Sequence, residues 1–196
     1  MATPPSKGKL LYHITHIDNI SSILKNGLLS REELNRRGMY NFRDIADHEI
    51  IAKRENYKSR LSKYVPFHFF AKNPFDCAVC NKYDSKNLVI ITIRRELHKT
   101  KKMFVIPSHP LDTHTPEIYN YDDGFEKINW NILDMQGNRD YNNPEIKKAC
   151  MAECLIENIV KPTEFFKLYV KDEAIIKDIK ILDKDLGIEV NPNMFL

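Results

Sequence analysis

Residues 87–93, Asn-Leu-Val-Ile-Ile-Thr-Ile, form a continuous, largely β-branched run with no polar alternation. That is the pattern of a strand covered on both faces, so the chain must build a sheet with further structure packed on either side. Other strand-length segments lie at 10–14, 65–70, 103–106, 165–170, 180–182 and 187–190. Ile17, Ile20, Ile23 and Leu24 follow helical spacing, entered through Thr15-x-x-Asp18 and stopped by Gly27. Helices are also predicted over 47–60, from Asn143-Pro144 onward and over 172–179, whereas residues 151–156 suit a helix or a strand equally. A polar, turn-rich stretch at 108–141 reads as a long functional loop around a short helix. There is no doubly wound alternation and no repeat, so the fold class is α+β: one domain over 10–196 on a central, mainly antiparallel sheet, after a disordered lead-in at 1–9.

Composition narrows the function. With 42% hydrophobic and 29% charged residues in 196, the chain is expected to be one water-soluble globular domain. The longest apolar runs are far below the roughly 20 residues that cross a bilayer, and the N-terminus lacks the apolar core of a secretory signal, which points to the cytoplasm. The net charge is +3, with basic residues gathered in 31–63 and 94–102. These segments suit a phosphate-binding face and solvated helix surfaces equally.

Cys77 and Cys80 form one CxxC, but Cys150 and Cys154 do not supply a second, so the expectation is reduced thiols and no metal. Six glycines, no GxGxxG and no GxxxxGK[ST] argue against a pyrophosphate cradled by a Gly-rich turn, and GxSxG and HExxH are missing as well. What remains is Tyr12-His13-Ile14-Thr15-His16 at a strand-to-helix junction, Arg54 in a basic segment, the aromatic strand after Tyr64, and Glu153 among Ala152, Cys154, Leu155 and Ile156. A carboxylate in such an apolar setting needs a partner or a task. The plainer readings are a structural histidine, a solvated arginine and a surface ion pair.

Together these residues resemble the DarT family of bacterial toxins that ADP-ribosylate single-stranded DNA, over nearly the whole chain. Tyr12-His13-Ile14-Thr15-His16-Ile17-Asp18-Asn19-Ile20, with Ile23-Leu24 and Gly27-Leu28-Leu29, is similar to the family's NAD-binding segment. Tyr64-Val65-Pro66-Phe67-His68-Phe69 with Asn73-Pro74 is similar to its second signature, and Ala152-Glu153-Cys154-Leu155-Ile156 to its catalytic Ala-Glu-Phe-Leu-Val. Departures are Cys154 in place of the family's Phe, Lys72 where an Arg-containing segment is usual, and weak similarity over 108–142.

The resemblance implies a single ADP-ribosyltransferase-like domain with a split sheet flanked by helices, and NAD as co-substrate. Breaking the nicotinamide glycosidic bond develops oxocarbenium-like charge on the ribose, which a fixed carboxylate stabilises. By resemblance that carboxylate is Glu153. Arg54 takes the place of the essential, catalytic arginine, which the resemblance implies holds the NAD pyrophosphate and helps deprotonate the base; a guanidinium in isolation is a poor general base, so the electrostatic role is the one expected. His13, Ile14, Thr15, Ser22 and Leu29 fall at further NAD contacts. The acceptor implied is a base of single-stranded DNA, thymidine before guanosine, with Tyr40, Tyr57 or Trp130 as stacking candidates. A toxin of this kind implies a macrodomain antitoxin partner, and the protein itself is expected to be a monomer. Two other readings stay open: an ADP-ribosyltransferase acting on RNA or protein, and an inactive NAD- or nucleic-acid-binding module.

Overall fold

A computed structural model describes residues 3–56, 61–112, 117–182 and 185–196. The chain runs β1 (Leu10–His16), α1 (Ile20–Asn26), β2 (Leu28–Leu29), α2 (Arg31–Arg36), α3 (His48–Glu55), β3 (Tyr64–His68), α4 (Pro74–Lys82), β4 (Leu88–Arg94) and β5 (Met103–Ile106). It continues through β6 (Tyr119–Asn120), α5 (Tyr121–Lys127), α6 (Trp130–Leu133), α7 (Pro144–Ala149), β7 (Glu153–Glu157), β8 (Ile159–Val160), β9 (Phe165–Val170), α8 (Ile176–Leu182) and β10 (Ile188–Val190). Eight strands form one sheet in the order β10-β9-β4-β1-β3-β7-β5-β6, antiparallel except for β10 on β9. Beside it β2 pairs with β8. The fold is therefore α+β on a mainly antiparallel sheet, as the sequence indicates.

The sheet is split down its middle. β1 pairs with β4 over seven residues and β3 with β7 over five, but β1 meets β3 at the single pair Tyr12↔His68. Pro66 gives a physical reason. It has no N–H to offer β1, and its carbonyl is instead taken by the His13 ring, 2.8 Å away. Where the halves do meet, buried Arg95 binds them together: its Nε donates to the Leu10 carbonyl (3.1 Å) and its Nη2 to the Phe69 carbonyl (3.0 Å). The guanidinium also lies over the rings of Phe69, Phe125 and Trp130.

The two faces of the sheet are packed unequally. One carries Leu11, Val65, Phe67, Val89, Ile91, Val105, Cys154 and Leu168 into a large core completed by Ile20 and Ile23 of α1, Leu133 of α6 and Ile179 of α8. The other carries two separate clusters, Ile14, Leu88, Ile90 and Tyr169 on one half and Leu61, Ile106 and Leu155 on the other. Between these clusters, over the split, the sheet is left open.

Several expectations change. Residues 180–182 end α8 instead of forming a strand, and residues 151–156 resolve as β7, because that segment pairs with both β3 and β5. Thr15 and His16 extend β1 by pairing with Val89 and Leu88, which delays the helix to Ile20. The stretch expected as a disordered lead-in contains a 3-10 turn, Pro5–Lys7, docked by buried Pro5 and by Ser6, whose N–H and Oγ donate to Asp134. Helix α3 is shorter than 47–60, and residues 57–60 of that expectation lie outside the described residues.

Gly27 ends α1 with φ 87°, and a Cβ there would sit 2.7 Å from Ile159 Cδ1. Gly27→Ala therefore combines a left-handed backbone with overpacking and is expected to lower stability by about 2–4 kcal/mol. Urea denaturation would report this as a lower midpoint. A midpoint within error of wild type would mean that the α1–β2 turn relaxes freely.

Candidate active site

The open part of the sheet holds a cavity of about 360 Å³. One wall is the end of β1 (His13, Ile14, Thr15) with β2, and the opposite wall is β3 and β7, contributing Pro66, His68 and Glu153. Alternation along a strand explains the floor: His68 and Glu153 are directly opposed in the β3–β7 register, so their side chains leave the same face. Phe67 and Cys154, one residue away on each strand, enter the main core instead. The lid comprises the 42–46 segment, Ile50, Ile51 and Arg54 of α3, and His109 with Leu111 from the segment after β5.

Glu153 is 3% exposed. Arg54 meets it with both nitrogens of its fork, Nη1 to Oε1 at 2.9 Å and Nη2 to Oε2 at 3.0 Å, spanning 99 positions of sequence. This planar two-bond geometry suits arginine and carboxylate. No residue of α3 is fully buried; the helix packs against residues 61–63 and is tied to the body of the protein by this pair and, at its N-cap Asp47, by Lys82 Nζ to Asp47 Oδ1 at 2.5 Å. Arg31 and Asp44, both on the cavity wall, pair with each other.

Three histidines line the cavity, and their partners assign the tautomers. A carbonyl can only accept, so His13 Nδ1 donates to Pro66 O (2.8 Å) and His68 Nδ1 to Ala152 O (3.2 Å). Burial, the largest influence on each, pushes both pKa values down, that of His13 to about 4, so both rings are neutral at pH 7 with the lone pair on Nε2. His109 is the reverse. Its Nδ1 accepts the Leu111 N–H at 3.1 Å, so the neutral ring, favoured by desolvation, carries its proton on Nε2. His13 fills the split against Phe67, while His68 lies beside Phe75 and opposite Glu153.

The low pKa of His13 has a stability consequence. The unfolded chain takes up this proton near pH 6.5 and the folded chain only near pH 4, so stability is lost as pH falls through that window. For this partly buried ring the loss is at most about 3 kcal/mol. Melting curves from pH 7 to pH 4 should be steeper for wild type than for His13→Gln; equal slopes would contradict the assignment.

Of the residues singled out from sequence, His13, Ile14, Thr15, Leu29, Arg54 and Glu153 converge on this cavity. Ser22 does not; it lies on α1, where its Oγ and carbonyl accept from Asn26. Trp130 packs partly buried against the core, its Nε1 donating to Phe125 O, and is not among the residues lining the cavity. Tyr40 is 78% exposed, and Tyr57 lies outside the described residues. His68 and His109 carried no role from sequence. His68 stands inside the Val-Pro-Phe signature, but its register against Glu153 is a property of the sheet.

A split sheet with a buried, arginine-paired carboxylate at the floor of a cleft defines a site suited to stabilising a glycosyl cation. Residues 12–196 match the family described as DarT, ssDNA thymidine ADP-ribosyltransferase, and the chain belongs to that family. It is 28% identical over 192 residues to a DNA ADP-ribosyl transferase–DNA ADP-ribosyl glycohydrolase fusion protein of Thermosipho africanus, covering 93% of this chain and 48% of that protein. The chain thus spans about half the length of that relative. The fold superimposes on Thermus sp. 2.9 DarT in complex with ADP-ribosylated ssDNA (TM-score 0.81, 18% identity, 100% of both chains). It also superimposes on the same protein in complex with NAD+ (TM-score 0.76, 17% identity, 97% of this chain and 98% of that one). Among the described residues no group of His, Cys, Asp and Glu is arranged to hold a metal, and no helix is long and apolar enough to cross a membrane.

Proposed function

We propose that this protein transfers ADP-ribose from NAD to a base of single-stranded DNA, thymidine before guanosine. The observation that carries the reading is Glu153, buried on the floor of the cleft and reached by Arg54 from the lid. Glu153 faces the ribose as its bond to nicotinamide breaks, and Arg54 exchanges the carboxylate for the NAD pyrophosphate. His13, Ile14 and Thr15 hold the nicotinamide end, and Leu29 closes the wall beside them. Ser22, outside the cavity lining, is given no contact.

A relative supports a reading of the biological setting. The Thermosipho protein joins a DNA ADP-ribosyl transferase to a DNA ADP-ribosyl glycohydrolase in one chain, which supports a macrodomain antitoxin as the partner that reverses the modification here. Mixed-sequence single-stranded DNA incubated with NAD and either wild type or Glu153→Ala, then analysed by mass spectrometry, tests the activity. An adduct formed only by wild type supports the reading, and fragmentation names the base. Nicotinamide release with no DNA adduct would move the acceptor to RNA, protein or water. No nicotinamide release under any condition would favour an inactive binding module.

A further inference from the structure

We propose that Cys77 and Cys80 form an oxidisable dithiol, a modification site outside the cavity, whose closure to a disulfide on α4 slackens the lid over Glu153. The oxidant is a low-molecular-weight disulfide such as oxidised glutathione. The effect on DNA modification rests on the function proposed above; the bridge and the loosened lid do not.

The cysteines are all free thiols, and they divide by accessibility. Cys150 and Cys154 are 1% and 0% exposed, sealed in the core where an oxidant does not reach them. Cys77 and Cys80 are half-buried, three residues apart on one helix, with exposed Ala78 between them. In a regular helix the Cα atoms at that spacing lie about 5 Å apart, inside the range of about 4.4–6.8 Å that a disulfide spans. The pair can therefore close without unfolding. Their Cβ atoms are less well placed: about 5–6 Å apart in a regular helix, they must approach to about 3.5–4.5 Å. Bridging thus contracts α4 around Ala78 and Val79.

α4 joins the floor of the cavity to its lid, so a contraction there acts on both. At its start Phe75 lines the cavity and packs on the His68 ring, with centroids 6.1 Å apart. At its end Lys82 Nζ meets Asp47, the N-cap of α3, and the hydroxyl of the C-cap residue Tyr83 donates to the Asp44 carbonyl at 3.2 Å. Between β3 and α4 the chain turns through Lys72, whose backbone is left-handed (φ 59°). Three side chains hold it there. Asp76 Oδ2 accepts its N–H at 3.0 Å, and its carbonyl accepts from the Tyr141 hydroxyl at 2.8 Å and from Cys77 Sγ at 3.5 Å. Such a conformation persists only while its surroundings impose it, and the bridge takes the Cys77 S–H away.

One cysteine thiolate attacks a sulfur of oxidised glutathione and releases a first glutathione; the other cysteine then displaces the second from the mixed disulfide. The two cysteines lose two electrons and two protons, and the oxidant becomes two reduced thiols. Burial, with the neighbouring Asp76 and Cys80, pushes the Cys77 thiol up to about 11, so closure is slow at neutral pH and quickens as pH rises. The same shift denies the reduced pair any stabilisation as a thiolate at Cys77, which favours the bridge once it is made.

Wild type is incubated with oxidised glutathione at mildly alkaline pH, alkylated and mapped by mass spectrometry, beside the double variant Cys77→Ser with Cys80→Ser. The wild-type peptide carrying residues 77 and 80 should lose two hydrogens, while Cys150 and Cys154 remain open to alkylation after unfolding. Amide hydrogen exchange across α3 should then quicken by at least about tenfold. Adduct formation on single-stranded DNA should fall by at least about tenfold, since the lid carries Arg54. Dithiothreitol should reverse both effects, and the double variant should keep its untreated rates throughout. A persistent glutathione adduct in place of the bridge would overturn the proposal, as would a bridged protein whose α3 exchange or DNA modification matches the reduced one. Should the double variant not fold, wild type before and after dithiothreitol decides by the same criteria. Failure of the functional reading looks different: reduced wild type itself then forms no adduct, and α3 exchange still decides for the dithiol.

Discussion

Glu153→Gln is expected to lower ADP-ribosyl transfer by about a thousandfold or more while leaving the fold intact and tightening the binding of intact NAD. The first part follows from removing the negative charge that Glu153, on the cleft floor, presents to the ribosyl cation. The second follows from the fork. Arg54 gives its paired N–H groups to Glu153, so a pyrophosphate has to compete with a carboxylate for the same guanidinium. Glutamine keeps the shape and loses the competition. Calorimetry with NAD on the Gln variant, against a non-hydrolysable NAD analogue on both proteins, should show affinity higher by about three- to tenfold, less than 1.4 kcal/mol. Equal or weaker binding would mean that Arg54 does not leave Glu153 for the nucleotide.

Arg54→Ala should be the most damaging single change at the site, because it removes transfer and also strands a carboxylate that is 3% exposed. Breaking a buried pair from one side costs about 3–5 kcal/mol; the adjacent cavity lets water reach the orphaned charge, so about 2–4 kcal/mol is expected here. The double variant Arg54→Ala with Glu153→Gln should recover most of that loss, since no buried charge then lacks a partner, while remaining inactive. Thermal melts of the four proteins in the cycle decide it. Additive losses would show that the pair does not exist in solution. Arg54→Lys keeps the charge but not the two parallel bonds and should restore stability better than turnover.

The residues bearing the chemistry were legible in the sequence as types in an order. Glu153 stood out as a carboxylate inside an apolar run, and the largely β-branched run at 87–93 indicated a strand covered on both sides, as β4 is from Leu88 to Ile93. Segment boundaries were less legible. Residues 151–156 satisfy helical and strand patterns alike, and only their pairing with Val65, Phe67 and Val105 decides for a strand. Residues 180–182 went the other way, carried into α8 as a continuation of the preceding turns. Trp130 was one of three aromatic stacking candidates in the sequence, and in the fold its ring lies under the Arg95 guanidinium.

The sequence by itself determined that this chain folds around a sheet, that it lacks Gly-rich phosphate loops, and which side chains could serve a glycosyl transfer. Those are matters of local pattern and side-chain chemistry, present in a one-dimensional string. The tertiary structure alone decided that Arg54 and Glu153, 99 positions apart, meet as a fork, that Ser22 lies outside the cavity, and that His68 faces Glu153 with its lone pair free. These depend on strand register and on where Pro66 lets the sheet part, and both are set by the packing of segments distant in the chain.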